Sequence, residues 1–214
     1  MENGELMDLA DVPHPDTAVA RAAREVAAEF CSPALLNHSL RSYVWAASFG
    51  VLHGFAFDAE LLYVSALLHD LGLVREFDSH EVGFEYAGAA VAWVFGAGAG
   101  WSPERRRRAG EIIVAHMANE LVGPEIDPEG HLLSVATSLD ISGSRLDAWP
   151  DALRIDVVRT LPRAGLAEEF LRCFQSQARR KPQSSPATAI AEGIAVRVAA
   201  NPLDRIEAST SIKP

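Results

Sequence analysis

Strand signal is what this chain has least of. Nowhere do β-branched residues alternate with polar ones over the length of a strand, which excludes a sheet-based fold and points to an all-α one. Lysine is nearly as scarce. Two lysines stand against seventeen arginines, a bias of genome composition, and none of residues 1–180 is a lysine. Cysteine is limited to Cys31 and Cys173, which are too far apart for a metal-ligand spacing and read as free thiols of a cytoplasmic protein. No apolar run is long enough for a bilayer span, and the acidic Met1–Glu5 start lacks the basic and apolar regions of a signal peptide. A soluble, cytoplasmic protein with no membrane partner is expected. The formal charge of −10 argues against broad nucleic-acid binding and leaves a small molecule as the expected partner, with homo-oligomerisation open.

What is present is enough for a sizeable core: 214 residues, 49% of them apolar. Helical periodicity with caps recurs from Thr17 onward. Residues 1–16 read as a tail, 17–180 as one compact multi-helix domain, and 181–214 as a Pro/Ser-rich linker and C-terminal arm. Within the domain, Ser32-Pro33 opens a short helix. Asn37 is placed to cap a longer one from His38 to His53, Asp58 caps the next, and further helices cover about 79–95, 102–119 and 132–141.

The chain is organised around Leu61-Leu62-Tyr63-Val64-Ser65-Ala66-Leu67-Leu68-His69-Asp70-Leu71-Gly72. Leu61, Val64, Leu67 and Leu68 repeat at helical spacing, so the helix is expected in the core, with Gly72 supplying a left-handed stop. A carboxylate in its last turn, Asp70, meets the negative end of the helix dipole and asks for a positive partner, either the adjacent His69 imidazole once protonated or a metal cation bound by both. Asp140 repeats the situation: it shares a face with Leu133, Ala136 and Thr137 and lies just before Gly143. An isolated buried carboxylate would protonate or cost several kcal/mol. Arg41 or Arg145 is a candidate partner. His38, His69, Asp70 and Asp140 together also offer two imidazoles and two carboxylates, a set suited to a divalent transition metal.

The pattern His38, then His69-Asp70, then Asp140 resembles the HD-domain metal-dependent hydrolase superfamily. Three blocks bring it nearer to the cyanamide hydratase-like branch: Asn37-His38-Ser39-Leu40-Arg41-Ser42-Tyr43, Leu68-His69-Asp70-Leu71-Gly72 and Phe84-Glu85-Tyr86-Ala87-Gly88-Ala89-Ala90. The similarity continues through Ile112–His116 and Asp140–Gly143 and covers roughly residues 30–145. The resemblance implies an all-α HD core in which His38, His69, Asp70 and Asp140 hold one divalent metal, zinc first and iron or manganese next. It also implies water addition to a small nitrile-like substrate. Ala87 departs from the branch, which carries an acidic residue before the glycine.

Glu85 and His116 are the candidate proton shuttles. Glu85 lies on a small-residue face with Gly88, Ala89 and Ala92, and His116 follows Ala109, Ile112 and Ile113 on an apolar one. Arg41, one turn after His38, is a candidate substrate or Asp70 partner, and Asn37 belongs to the catalytic set by resemblance. The Arg105–Arg108 run points all round its helix and is expected to be mostly solvated. Three function classes follow: a hydratase acting on a small nitrogen compound, a nucleotide phosphohydrolase, and a sensory domain that has kept its metal.

Overall fold

The computed structural model describes residues 7–118 and 120–210. Eleven α-helices and no strand occur among the described residues. In chain order they are α1 Ala18–Phe30, α2 Pro33–Leu52, α3 Ala59–Leu68, α4 Phe84–Gly98, α5 Pro103–Ala115 and α6 Pro128–Ser142, then α7 Asp151–Thr160, α8 Leu166–Arg180, α9 Ser185–Ala191, α10 Ile194–Ala199 and α11 Pro202–Thr210. Three single-turn 3-10 helices, at Leu9–Asp11, Leu71–Leu73 and Leu146–Ala148, join them. The all-α expectation holds.

Helix α3 is the axis of the bundle. Every residue from Leu61 to Leu68 is buried, and α1, α2, α4, α5 and α6 all pack against it. Full burial of each leucine contributes about 1.5–3 kcal/mol. The helix starts where the Asp58 side chain accepts the Leu61 N–H at 2.9 Å, and it ends at Leu68.

Helix α2 departs from the sequence expectation. It runs unbroken from Pro33 to Leu52, capped by Ser32, whose hydroxyl accepts the Leu35 N–H. Proline at the first helical position is compatible with a long helix, and nothing between Pro33 and His38 breaks one. Asn37 therefore lies inside the helix, where its side chain donates to the Pro162 carbonyl at 2.8 Å instead of capping. Helix α4 begins at Phe84 rather than near Ser79. The Ser79 hydroxyl accepts the N–H groups of Glu81 and Val82 in a local turn, and Lys181 Nζ takes the carbonyls of Ser79 and Val82.

Residues 181–206 are packed onto the body, whereas a linker and appended arm were expected. Lys181 is buried and bonds Asp78 as well as those two carbonyls. Ile190, Ile194 and Val198 join Phe84, Ile141, Phe170 and Phe174 in a second apolar cluster, and Leu203 enters the main core. Of the N-terminal tail, residues 1–6 lie outside the described residues, as do residues 211–214 of the arm. Met7 and Val12 are buried, and the Tyr43 hydroxyl donates to the Pro13 carbonyl.

Three members of the arginine run are engaged rather than solvated. Arg105 bonds Asp58 and Glu60 and stacks on Trp101, Arg106 donates to the Trp101 carbonyl, and Arg108 bonds Asp127 and Glu129. Only Arg107 keeps the solvated character expected of the run.

Two glycines allow α4 to approach the end of α3. Gly72 is not in the left-handed region expected of it; it lies in the Leu71–Leu73 turn. Its requirement is proximity, since a Cβ there would stand 2.0 Å from the Phe84 carbonyl oxygen. At Gly88 a Cβ would stand 2.8 Å from the His69 carbonyl oxygen. Both clashes are with backbone, which cannot step aside as a side chain can. Gly72→Ala is therefore expected to destabilise the protein by about 1–3 kcal/mol or more. Urea unfolding measures it, and an unchanged midpoint would contradict the packing described.

Candidate metal centre

His38 lies in the second turn of α2, His69 closes α3 and Asp70 follows it. The three side chains are buried to within 2% of full exclusion. Their inward atoms form a small triangle: His38 Nε2 to His69 Nε2 is 3.2 Å, His38 Nε2 to Asp70 Oδ2 is 3.4 Å, and His69 Nε2 to Asp70 Oδ2 is 3.3 Å. Donors held at about 2.0–2.1 Å by a tetrahedral ion stand about 3.3–3.4 Å from one another. The triangle has those dimensions.

The outer nitrogens decide what the inner atoms carry. His69 Nδ1 donates to the Ala66 carbonyl at 2.7 Å, and His38 Nδ1 donates to Asp140 Oδ2 at 2.7 Å. In the neutral tautomers fixed by those bonds, both Nε2 atoms present lone pairs to the triangle. Asp70 Oδ2 is buried and has no hydrogen-bond partner among the described residues. Three lone pairs so close require a cation or a proton. These residues fit a divalent metal, with the outer bonds orienting the imidazoles as metal-binding histidines need. Burial opposes ionisation of both His38 and Asp70. The carboxylates of Asp140 and Asp70 nonetheless raise the His38 pKa, and the two imidazoles lower that of Asp70.

Asp140, expected as a fourth ligand, is not in the triangle. It stands behind His38, with both oxygens occupied. Oδ1 accepts Arg41 Nε at 2.8 Å and Trp45 Nε1 at 2.9 Å, while Oδ2 accepts Arg41 Nη2 at 2.8 Å and His38 Nδ1. Its carbonyl receives Arg163 Nη1 at 2.7 Å and Asn201 Nδ2 at 2.9 Å. Burial alone would raise its pKa, but the Arg41 guanidinium and the His38 bond hold it well below the ordinary carboxylate value. The stabilisation so gained is present above the ordinary carboxylate pKa and is lost as pH falls through the folded one.

Arg41 is fully buried and spent: besides Asp140 it donates to the carbonyls of Leu161 and Pro162. Neither it nor Asn37 lines the cavity in front of the triangle. Glu85 does not line it either. It is buried beside Gly83, and Oε1 accepts the Ser185 hydroxyl at 2.8 Å. The expected roles of Glu85, Asn37 and Arg41 as groups acting on substrate therefore have no support in their placement.

His116 does line the cavity, with its ring centroid 4.8 Å from that of His69. Its Nδ1 donates to the Ile113 carbonyl, which leaves Nε2 as the unprotonated atom. Burial, reinforced by neighbouring His69, pulls its pKa down to about 3. The cavity has a volume of about 240 Å³. Phe84, Met117, Ile141, Phe170, Phe174, Ala189 and Ile194 give it an apolar wall, Thr137, Ser138, Ser142 and Ser144 a hydroxyl wall, and exposed Arg197 joins the lining. The residues from α8 to α10 and the Trp45 contact were missed in the sequence. The only signal for Trp45 was its spacing with His38 and Arg41 on one stripe of α2.

The HD domain family model matches residues 35–141, and the chain belongs to that family. It is similar to the cyanamide hydratases DDI2 and DDI3 of Saccharomyces cerevisiae. With each, 31% of 169 aligned residues are identical, covering 76% of this chain and 72% of the relative.

Two outcomes follow from the geometry. Asp140→Ala leaves Arg41 buried without its carboxylate and should cost about 3–5 kcal/mol, measured by chemical denaturation. A loss below 1 kcal/mol, the range of surface pairs, would show that the pair is not load-carrying in the fold. In the metal-free protein, the His116 imidazole should stay neutral in its Nδ1–H tautomer at pH 5, as read by ¹⁵N NMR. Half-protonation near pH 6.5 would contradict its burial.

Proposed function

We propose that the chain is a metal-dependent hydratase that adds water across the C≡N bond of a cyanamide-type compound. One observation carries the reading: three lone pairs, of His38, His69 and Asp70, converge within 3.4 Å on the wall of a largely apolar cavity. Similarity to the yeast cyanamide hydratases supports the reaction class. A divalent ion bound by these three residues, with zinc first on its preference for imidazole and carboxylate donors, would acidify a water molecule so that it can attack carbon at neutral pH.

The protein's own residues do the rest. Asp140 holds His38 in the tautomer that presents Nε2, and Arg41 and Trp45 hold Asp140. His116 offers an unprotonated Nε2 in the same cavity, able to receive a proton from water and pass it to the nitrile nitrogen. The apolar wall keeps bulk water from competing. Asn37, Arg41 and Asp140 are assigned to positioning, and Glu85 to anchoring α9.

Purified protein should hydrate cyanamide or a related nitrile faster than it hydrolyses any nucleotide monophosphate. His116→Ala should lower turnover about 10²–10⁴-fold, while Glu85→Gln should change it little. Robust release of phosphate from a nucleotide with cyanamide inert would contradict the proposal. A collapse of turnover in Glu85→Gln at normal metal content would restore that residue to the chemistry.

A further inference from the structure

Cyanamide has only an N–C–N skeleton, yet the cavity in front of the triangle is about 240 Å³. A water molecule occupies about 30 Å³ of the liquid, so a substrate of cyanamide's size would leave most of the space unfilled. Much of that space is apolar. Phe84, Phe170 and Phe174 form a connected aromatic group, with ring centroids 5.5 Å apart for Phe84–Phe174 and 3.9 Å for Phe170–Phe174. A planar apolar body fits such a wall.

Charge supplies the second constraint. The Asp140 carboxylate, which would have offset a divalent ion had it been a ligand, is already neutralised by Arg41. Asp70 is the one carboxylate of the lining, and Arg197 its one arginine. A bound divalent ion, Asp70 and Arg197 together make the cavity net positive inside a chain of net charge −10. Arg197 is exposed, and one of its nitrogens donates to the Glu192 carbonyl at 2.9 Å, which ties the side chain to its own segment. It pairs with no carboxylate among the described residues.

We infer that the substrate is a substituted cyanamide or nitrile whose apolar body packs on the phenylalanine wall and whose distal carboxylate meets Arg197. This rests on the hydratase reading for the chemistry at the triangle, but not for the anion subsite. The reaction is R–NH–C≡N + H₂O → R–NH–CO–NH₂. The oxygen of water bonds the nitrile carbon, two C–N bonds of the triple bond give way, both hydrogens of water end on the former nitrile nitrogen, and nothing is oxidised or reduced. A single carboxylate is matched by one guanidinium, whereas a nucleotide phosphate carries close to two negative charges, and the lining offers one arginine and no lysine.

The test compares cyanamide, phenylcyanamide and 4-cyanamidobenzoate as substrates, and measures binding of the product 4-ureidobenzoate by calorimetry. 4-Cyanamidobenzoate should show the highest kcat/KM, at least about tenfold above phenylcyanamide through a lower KM, the equivalent of one charge-assisted contact. Arg197→Ala should erase that KM preference and weaken 4-ureidobenzoate binding about tenfold, with Arg197→Lys in between. Turnover of cyanamide alone, or a preference that survives Arg197→Ala, would overturn the inference. If none of the three is hydrated, the hydratase reading fails on its own. Calorimetry then decides for the subsite: Arg197-dependent binding of 4-ureidobenzoate sustains it, and absence of binding removes it.

Discussion

The buried carboxylate of Asp140 is the interaction on which the rest of this structure depends. It accepts four side-chain hydrogen bonds, from His38, Trp45 and twice from Arg41, and its own carbonyl accepts Arg163 and Asn201. Those bonds fasten α6 to α2, to the segment before α8 and to the turn before α11. A buried ion pair of this kind is weak evidence for net stability, because desolvation of both partners offsets much of the attraction. Its value here is geometric. With every lone pair of the carboxylate used, His38 is left one orientation, and its Nε2 meets His69 and Asp70 at the distances a small cation requires.

The approach of α4 to the end of α3 is the second constraint. Gly72 admits the Phe84 backbone, and Gly88 sits against the His69 carbonyl. Phe84 thereby enters the cavity wall next to His116, with ring centroids 5.6 Å apart. The last helices close the same cavity: Ala189, Ile194 and Arg197 come from α9 and α10, and Ser185 and Lys181 pin that region to Glu85 and to the turn before α4. The site and helices α9 and α10 are thus one packing unit.

The helical class, the central position of α3 and the approach of His38, His69 and Asp70 were legible in the sequence. Each rests on local periodicity, or on polar residues where an apolar face should continue. Asp140 was legible as buried, but its bonds to Arg41 and Trp45 were not. A sequence shows that two carboxylates want a cation, not that Arg41 reaches one of them from another helix. Asn37 looked like a cap because asparagine caps helices well, yet Ser32-Pro33 had already started the helix. The bond of Glu85 to Ser185 was not legible, because the two lie a hundred residues apart in sequence. The C-terminal segment read as an arm because Lys181–Pro186 is polar, although Lys181 spends its charge on Asp78 and two carbonyls. In each case the missing information was a long-range contact.

The central claim is that His38, His69 and Asp70 hold one metal ion while Asp140 orients His38 from behind. Elemental analysis combined with X-ray absorption at the metal edge tests it most directly. The account predicts about one ion per chain, two imidazoles and one protein carboxylate in its coordination sphere, and loss of the ion in both His69→Ala and Asp70→Ala. Full occupancy in both variants, or a sphere containing no imidazole, would contradict it.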